Sequence, residues 1–294
     1  MKNKIVIHKN TSYSKILFKY FIALAPLVLY GLYKNGIILY VNKEISFLEI
    51  FKPLLYPILG LIIGLVVNFI KNKKINFDLT ILNGFLVGML VPINTNIIIF
   101  TILTFGLLYA FLLIQNKFRF NVACLIKLLI ILVLLVLNKY NYGNLLETSS
   151  SYDFTFIDLL FGRQVGGVCA SSFIWVVFGF IYLFTDYYYK KDIPIIAYLS
   201  YTAVILFSFI FTKDFHLVLT SLIAATPAFG FVFLAPISEY SPYTSTGKII
   251  YAIILGVLTA LLGFVLKFEA VFIVILLLSI SKDFFDRLGQ KMTK

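Results

Sequence analysis

Long apolar runs follow one another along almost the whole chain, and they constrain the fold more than any other feature of the sequence. A helix needs about 20 mostly apolar residues to cross the hydrocarbon core of a bilayer. Ten segments are candidates, some of them short: 16–33, 54–70, 79–93, 97–114, 122–137, 172–184, 195–211, 215–235, 249–266 and 270–280. The pattern predicts an all-α polytopic membrane protein with about ten transmembrane helices.

The composition of the chain supports this class. Of its 294 residues, 61% are hydrophobic and 13% are charged, whereas soluble domains average about 45–50% apolar and about 25% charged residues. The intervals between the apolar runs are too short to fold alone. We therefore expect one integral membrane domain over residues 1–294, in contact with the lipid bilayer of the cell (inner) membrane.

The net charge of +12 does not indicate a nucleic-acid partner, because the basic residues lie between apolar runs, where they set membrane orientation. With the N-terminus placed in the cytoplasm, 17 of the 25 Lys and Arg residues lie on the cytoplasmic side and seven on the outer side. This asymmetry predicts that the N- and C-termini are both cytoplasmic.

Glycine and proline interrupt two of the apolar segments, the third and the eighth, at Gly84, Gly88, Pro92, Pro227 and Gly230. Each interrupted segment belongs to its own five-helix half, about 1–140 and about 141–294, and paired interruptions of this kind are typical of inverted-repeat transporters. The alternative is that glycine and proline are simply common in membrane helices.

A glycine-rich stretch, FGRQVGGVCASS at 161–172, follows the polar interval 138–158 and precedes the sixth segment, on the predicted outer face. Backbone N–H groups at Gly166 and Gly167, with the next helix N-terminus and Arg163, could hold a phosphate. The alternative is an ordinary turn in which Ser171 and Ser172 cap the sixth helix.

Four other polar residues lie within or beside apolar segments. Lys127 is either functional or reaches the cytoplasmic edge with its ammonium group. Asp78 and Asn83 could line a cavity, and Glu269 suits the N-terminus of the tenth helix. Catalytic triads and paired catalytic carboxylates are not visible, and the two cysteines have no metal-ligand spacing. No catalytic residue and no metal ligand is predicted.

Several motifs, in order along the chain, resemble those of a known family. They are Asn83-Gly84-Phe85-Leu86-Val87-Gly88, Phe120-Asn121-Val122-Ala123 followed by Lys127, Ala235-Pro236-Ile237-Ser238, Ser241-Pro242-Tyr243-Thr244 followed by Gly247-Lys248, Lys267-Phe268-Glu269-Ala270-Val271, and Asp286-Arg287. With them, the chain resembles the D subunit of Rnf-type ion-translocating electron transport complexes and, more distantly, the B subunit of the sodium-pumping NADH:quinone oxidoreductase.

The resemblance implies a flavin site at the glycine-rich stretch. In the family, a threonine there carries FMN through a phosphoester bond that a flavin transferase makes outside the membrane. Ser171 lies at the position of that threonine, Ser172 and Gly166 match the family pattern, and Gly167 replaces a serine. Cys169 and Ala170 replace a glycine and a glutamate.

The implied function is that of a membrane subunit that passes electrons through FMN on the outer face, coupled to Na⁺ or H⁺ transport. The implied partners are the other subunits of an Rnf-like complex and a flavin transferase. Whether a second flavin lies among the helices is left open. The alternative is a member without flavin that acts as a small-solute or cofactor transporter or as a scaffold subunit.

Overall fold

The computed structural model describes residues 13–73, 77–115, 118–137, 156–162, 164, 166–213 and 215–292, and the regular elements in these ranges are all helical. The α-helices are α1 Tyr13–Leu32, α2 Lys52–Asn72, α3 Leu79–Leu90, α4 Ile97–Ile114, α5 Val122–Val136, α6 Phe156–Phe161, α7 Phe173–Phe184, α8 Asp192–Thr212, α9 Phe215–Leu222, α10 Ala225–Phe229, α11 Ser245–Leu266, α12 Ala270–Ile280 and α13 Lys282–Met292.

Irregular helical turns extend four of these helices. A π-helical turn at Tyr33–Ile38 and a short turn at Leu39–Val41 continue α1, and a second π-helical turn at Gly230–Leu234 continues α10. Short 3₁₀ helices at Phe47–Phe51 and Lys267–Glu269 precede α2 and α12. π-helical turns inside longer helices often occur at functional sites, and the first of these turns contacts the glycine-rich stretch.

Five helical stretches are long and apolar enough to cross a membrane: Ser14–Val41, Phe47–Asn72, Ile97–Ile114, Asp192–Phe211 and Ser245–Leu266. Five further apolar helices are shorter, at 10–17 residues: Leu79–Leu90, Val122–Val136, Phe173–Phe184, Val218–Leu234 and Ala270–Ile280. The multi-pass membrane class is confirmed. Five helices have the length and composition of a membrane span, whereas the total of ten spans and the cytoplasmic placement of the termini stay predictions.

Helix length alternates in a similar way in the two halves of the chain. In the first half, α2 and α4 are long, and in the second half α8 and α11 are long. The remaining apolar helices of each half are shorter: α3 and α5 in the first, and Val218–Leu234 and α12 in the second. Only the first members differ, because α1 is long and α7 has 12 residues. This alternation agrees with the predicted repeat of two five-helix halves, whose inverted relationship stays a prediction.

The short helix α3 lies at the centre of the molecule, and all 12 of its residues are buried. Gly84 and Gly88 on α3 face the backbone of α2 at Gly60 and at Tyr56, so closely that a Cβ atom at either glycine would overlap it. Helices in a membrane associate through close packing of small residues, because lipid provides no hydrophobic driving force between them. Gly84 and Gly88, which were predicted to interrupt the third segment, leave α3 continuous and pack it against α2.

The last helix that the structure describes, α13, is amphipathic, and the apolar pattern did not predict it because its exposed face is strongly polar. Phe285 is buried against Tyr251 of α11, with 5.7 Å between ring centroids. The carboxylate of Asp286 accepts hydrogen bonds from the backbone N–H groups of Tyr243 and Thr244, at 2.7 and 2.9 Å. The Asp-Arg motif of the resemblance thus contributes the group that satisfies the N-terminus of α11.

Candidate functional site

The glycine-rich stretch is buried inside the helical bundle. Residues 166–172 are all buried, and Gly162, which ends α6, has a φ of +106°. A Cβ atom at Gly162 would lie 2.8 Å from atoms of Ser171 and Ser172, so the turn requires glycine for both its dihedral angle and its space. Residues 166–172 are thus enclosed by the protein itself, and their placement on the outer face of the membrane stays a prediction.

The stretch is bonded to the C-terminal end of α3. The N–H groups of Val168 and Cys169 donate to the carbonyl oxygens of Val91 and Met89, both at 3.0 Å. Gly167 lies against the backbone of Leu90, where a Cβ atom would be 2.6 Å from the carbonyl oxygen. The last carbonyls of a helix have no partner within the helix, and the glycine-rich stretch supplies partners at the first interrupted segment.

The π-helical turn after α1 also contacts the stretch. Asn35 donates from Nδ2 to the carbonyl of Val168 at 2.7 Å, and Lys34 donates from Nζ to the carbonyl of Gln164 at 2.5 Å. Both side chains are buried. Because ionisable groups in an apolar interior are costly unless bonded, this pairing fixes the position of the stretch against α1.

Gln164 connects the stretch to the second interrupted segment, between α9 and α10. Its Nε2 donates to the carbonyl of Ile223 at 2.7 Å and to that of Leu159 at 2.6 Å, and its Oε1 accepts from the N–H of Ala225 at 2.9 Å. A broken helix leaves backbone groups that must be satisfied inside a membrane. Gln164 was not among the predicted site residues, although an amide beside apolar runs is a signal for such a role.

Two tyrosines of α8 complete the hydrogen bonding at the same break. The hydroxyl of Tyr198 donates to the carbonyl of Leu222 at 2.6 Å, and that of Tyr201 donates to the carbonyl of Ser221 at 3.1 Å. Together with Gln164, these hydroxyls satisfy the end of α9 and the start of α10. The glycine-rich stretch therefore lies between both interrupted segments and joins the two halves of the chain.

The predicted flavin residues lie at the buried end of this stretch. The hydroxyls of Ser171 and Ser172 are buried and have no hydrogen-bond partner among the described residues. Ser172 occupies the N-cap position of α7, but its side chain makes no capping hydrogen bond. The prediction that these serines cap the helix through their hydroxyls is therefore wrong. Gly166 packs against Ala170 and Ser171, with 3.3 Å from a Cβ atom to their nearest atoms.

The residues at this site have the chemistry to carry FMN, but the hydroxyl that would carry it is not accessible. A serine hydroxyl can form a phosphoester, and an unpartnered buried hydroxyl loses no hydrogen bond when it does so. The Ser171 side chain, however, is closed to solvent, so a flavin could be attached only after residues 166–172 move. Arg163, which was expected to favour an anion there, lies outside the described residues, as does most of the polar interval 138–158.

Lys127 is paired rather than directed to the membrane edge. Its Nζ lies 2.8 Å from a carboxylate oxygen of Glu269 and 3.2 Å from the ring centroid of Phe272. The lysine is on α5 and its partners are at the start of α12, so the pair joins two of the short helices. Of the two alternatives for Lys127, snorkelling to the edge is wrong, and Glu269 serves as its counter-ion.

Asn121, in the Phe-Asn motif of the resemblance, is a buried structural residue. Its Oδ1 accepts from the N–H of Cys124 at 3.2 Å, and its Nδ2 donates to the carbonyl of Leu234 at 3.2 Å. Its own N–H donates to Ser279 Oγ at 2.9 Å. Asn121 thus caps α5 and binds the end of the second interrupted segment.

Asp78 and Asn83, which were expected to line a cavity, both make hydrogen bonds within the fold. Asp78 is the N-cap of α3 and accepts from the N–H of Leu79 at 2.6 Å. Asn83 is fully buried and donates from Nδ2 to the hydroxyl of Tyr240 at 2.9 Å, across 157 positions of sequence. Asn83 therefore links α3 in the first half to the segment after the second interruption.

Lys190 holds the segment that leads into α11. Its Nζ donates to the carbonyls of Ser241 and Pro242, both at 2.9 Å, and to that of Ser238 at 3.3 Å. Burial is the largest cause that lowers the pKa of Lys190 from 10.5 to about 7, and the nearby ammonium groups of Lys248 and Lys282 lower it further. The carboxylate of Asp286 acts in the opposite direction.

Within the described residues, no group of three or more His, Cys, Asp or Glu side chains is arranged to hold a metal ion. The apolar helices, the two interrupted segments and the buried stretch between them define a multi-pass membrane protein. The chain belongs to the NQR2, RnfD, RnfE family, whose model matches residues 1–293. A comparison with curated proteins finds no match.

Proposed function

We propose that this protein is a membrane subunit of an ion-translocating electron transport complex of the Rnf or Nqr type. The observation that carries this proposal is membership of the family over residues 1–293. The five long apolar helices support a place in a bilayer, which we propose to be the cell (inner) membrane. The other subunits of such a complex are the proposed partners.

In the first form of this proposal, Ser171 carries FMN through a phosphoester, with Gly166, Gly167 and Ser172 around the attachment point. When bound, the flavin supplies the electron chemistry, and the protein supplies position and electrostatics. Attachment requires residues 166–172 to open, because the Ser171 hydroxyl is buried. The electron flow would be coupled to Na⁺ or H⁺ movement by the complex.

A second form is favoured by the closed state of the stretch. Its backbone and the Gln164 side chain form hydrogen bonds to both interrupted segments. The hydroxyls of Ser171 and Ser172 are buried and have no partner among the described residues. In this form the stretch is purely structural, and the protein is a member without flavin that acts as a scaffold subunit. Interrupted helices in two halves are also typical of transporters. A protein without flavin that transports a small solute or cofactor is therefore the transporter variant of this second form.

Mass spectrometry of the full chain, co-expressed with a flavin transferase, separates the two forms. The flavin form predicts the added mass of one FMN on the peptide that contains Ser171, and loss of that mass in Ser171→Ala. Ser172→Ala tests the neighbouring hydroxyl as the alternative acceptor, because that hydroxyl is equally buried and has no partner among the described residues. An unmodified peptide in the wild type removes the flavin form and leaves the scaffold or transporter.

Two further measurements test the membership of a complex. Affinity purification in mild detergent should recover other membrane subunits with the wild type and with Ser171→Ala alike. If the chain is recovered alone and supports uptake of a flavin into liposomes, the transporter variant replaces the complex subunit.

A further inference from the structure

A cavity of 250 Å³ lies between α7 and α8, with α10 and the π-helical turn after it as its floor. Val177 and Phe180 contribute to one wall, Ile195 and Leu199 to the other, and Ala228 to the floor. The two walls are neighbours in the chain, joined by residues 185–191. The cavity does not touch residues 166–172 and is distinct from the candidate flavin site.

The lining of this cavity is almost entirely apolar. Tyr198 brings a hydroxyl nearby, but that group donates to the carbonyl of Leu222. An ordered water needs two to four polar partners, which this lining does not offer. An empty space of this size would forgo the dispersion contacts that close packing provides. The chemistry of the cavity therefore calls for an apolar occupant.

The rim of the cavity faces the side of the helical bundle. Leu199 on α8 is 62% exposed and Phe178 on α7 is 52% exposed, and α8 is long and apolar enough to span a membrane. Exposed apolar side chains at this level of a spanning helix contact lipid. The available occupant is thus a hydrocarbon chain that enters from the bilayer.

A cation lies at the end of the cavity where α8 begins. Lys191 is exposed, and its Nζ lies 4.7 Å from the ring centroid of Phe184. Phe184 packs on Phe180, which lines the cavity, with 5.7 Å between ring centroids. Two acidic residues lie at this end: Asp192 in the first turn of α8, and the buried Asp186, which pairs with Lys19 at 2.8 Å. When the headgroup phosphate of a lipid contacts Lys191, the acyl chain of the same lipid lies at the mouth of the cavity.

We propose that the cavity between α7 and α8 binds one acyl chain of an anionic phospholipid, whose phosphate contacts Lys191. The bound chain packs against Ala228 and against Phe231 and Val232 of the π-helical turn, and so it supports the second interrupted segment from its lipid side. This proposal does not depend on the presence of a flavin.

Lipid analysis of the purified full chain tests the proposal. The protein is reconstituted in bilayers of phosphatidylcholine with a minority of phosphatidylglycerol, extracted in mild detergent and examined by native mass spectrometry. The wild type should retain one phospholipid, enriched in phosphatidylglycerol. Val177→Phe, which fills the cavity, should lower the retained lipid at least about tenfold, a change of about 1.4 kcal/mol.

Ile181→Phe is the matched control, because Ile181 lies on the same helix and is 56% exposed. Leu199→Trp, on the opposite wall, provides a second blocking variant if Val177→Phe does not fold. Lys191→Gln should keep the bound lipid but lower the preference for phosphatidylglycerol about fivefold. Equal retention in the blocking variants and the control would overturn the proposal, and so would equal retention of the two lipids by the wild type.

Discussion

The ammonium of Lys127 and the carboxylate of Glu269 lie 2.8 Å apart, although 142 positions of sequence separate them and both lie in apolar surroundings. Lys127 is 1% exposed and Glu269 is 14% exposed at the side chain. Removing one partner from a buried pair leaves an uncompensated charge, which costs about 3–5 kcal/mol in soluble proteins. This pair is the electrostatic connection between α5 and α12.

We expect Glu269→Gln to lower the thermal unfolding midpoint of the detergent-solubilised protein strongly, because the buried ammonium of Lys127 then loses the carboxylate that lies 2.8 Å from it. The double variant Lys127→Met with Glu269→Gln should recover most of the loss, since it removes both charges. The measurement is thermal unfolding followed by tryptophan fluorescence or by aggregation. The pairing would be contradicted if the unfolding midpoint of the double variant fell by the sum of the decreases seen in Lys127→Met and in Glu269→Gln.

Gln164→Leu should destabilise the break between α9 and α10. It removes both donors and the acceptor that serve Leu159, Ile223 and Ala225. Each buried backbone group left without a partner costs about 1–3 kcal/mol. Hydrogen exchange followed by mass spectrometry should show faster exchange around residues 222–228.

Gln115→Leu provides the control for this change, because Gln115 is a partly exposed residue at the end of α4. Its substitution should leave exchange around residues 222–228 at the wild-type rate. If Gln164→Leu also left that rate unchanged, the proposed connection between the glycine-rich stretch and the second interruption would be wrong.

Lys190 predicts a pH dependence of stability. Its pKa is lowered from 10.5 to about 7 in the folded protein, so between these values the unfolded chain binds more protons than the folded chain. Stability should therefore rise with pH from about 7 towards about 10. Lys190→Met should flatten this rise in unfolding midpoint, whatever its effect on absolute stability.

Lys191→Met is the matched control for this slope, because it removes the neighbouring lysine without touching the carbonyls of Ser238, Ser241 and Pro242. Its profile should keep the wild-type slope. Identical slopes in Lys190→Met and the wild type would show that another group controls stability in this range.

Asp286→Ala should weaken the N-terminus of α11 by about 0.5–2 kcal/mol, the usual cost of losing a cap. The carboxylate accepts from the N–H groups of Tyr243 and Thr244, whereas Asp283, on the same helix, is exposed. Asp283→Ala should therefore change the unfolding midpoint much less. Equal effects of the two changes would indicate that α13 acts only through its overall charge.

The sequence predicted the apolar helices well where hydropathy alone decides the outcome. The ranges expected for the fourth and tenth segments coincide with Ile97–Ile114 and Ala270–Ile280. The interruption in the eighth segment was also predicted, but the break lies at residues 223–224 rather than at Pro227 or Gly230. The third segment is not broken at Gly84 or Gly88, and its helix ends at Leu90, before Pro92. The helix α13 was missed, because it is too polar and too short to resemble a span.

The partners of individual polar residues could not be predicted in the same way. Ser171 and Ser172 were expected to cap a helix or to form a flavin site on the outer face, and nothing in the sequence indicated that their hydroxyls are buried without partners among the described residues. Lys127 was left between two roles, and its partner is Glu269. Gln164 was overlooked, because its role depends on backbone groups about 60 residues away.

By itself, the sequence determined the membrane class, the number of apolar segments and the family motifs, because these depend on composition and order along the chain. Only the tertiary structure decided that residues 166–172 are buried between the two interrupted segments. The physical reason is the membrane interior, where every broken backbone hydrogen bond requires a partner. At the end of α3 and at the break between α9 and α10, distant residues supply those partners, and the glycine-rich stretch is fixed in place as a result.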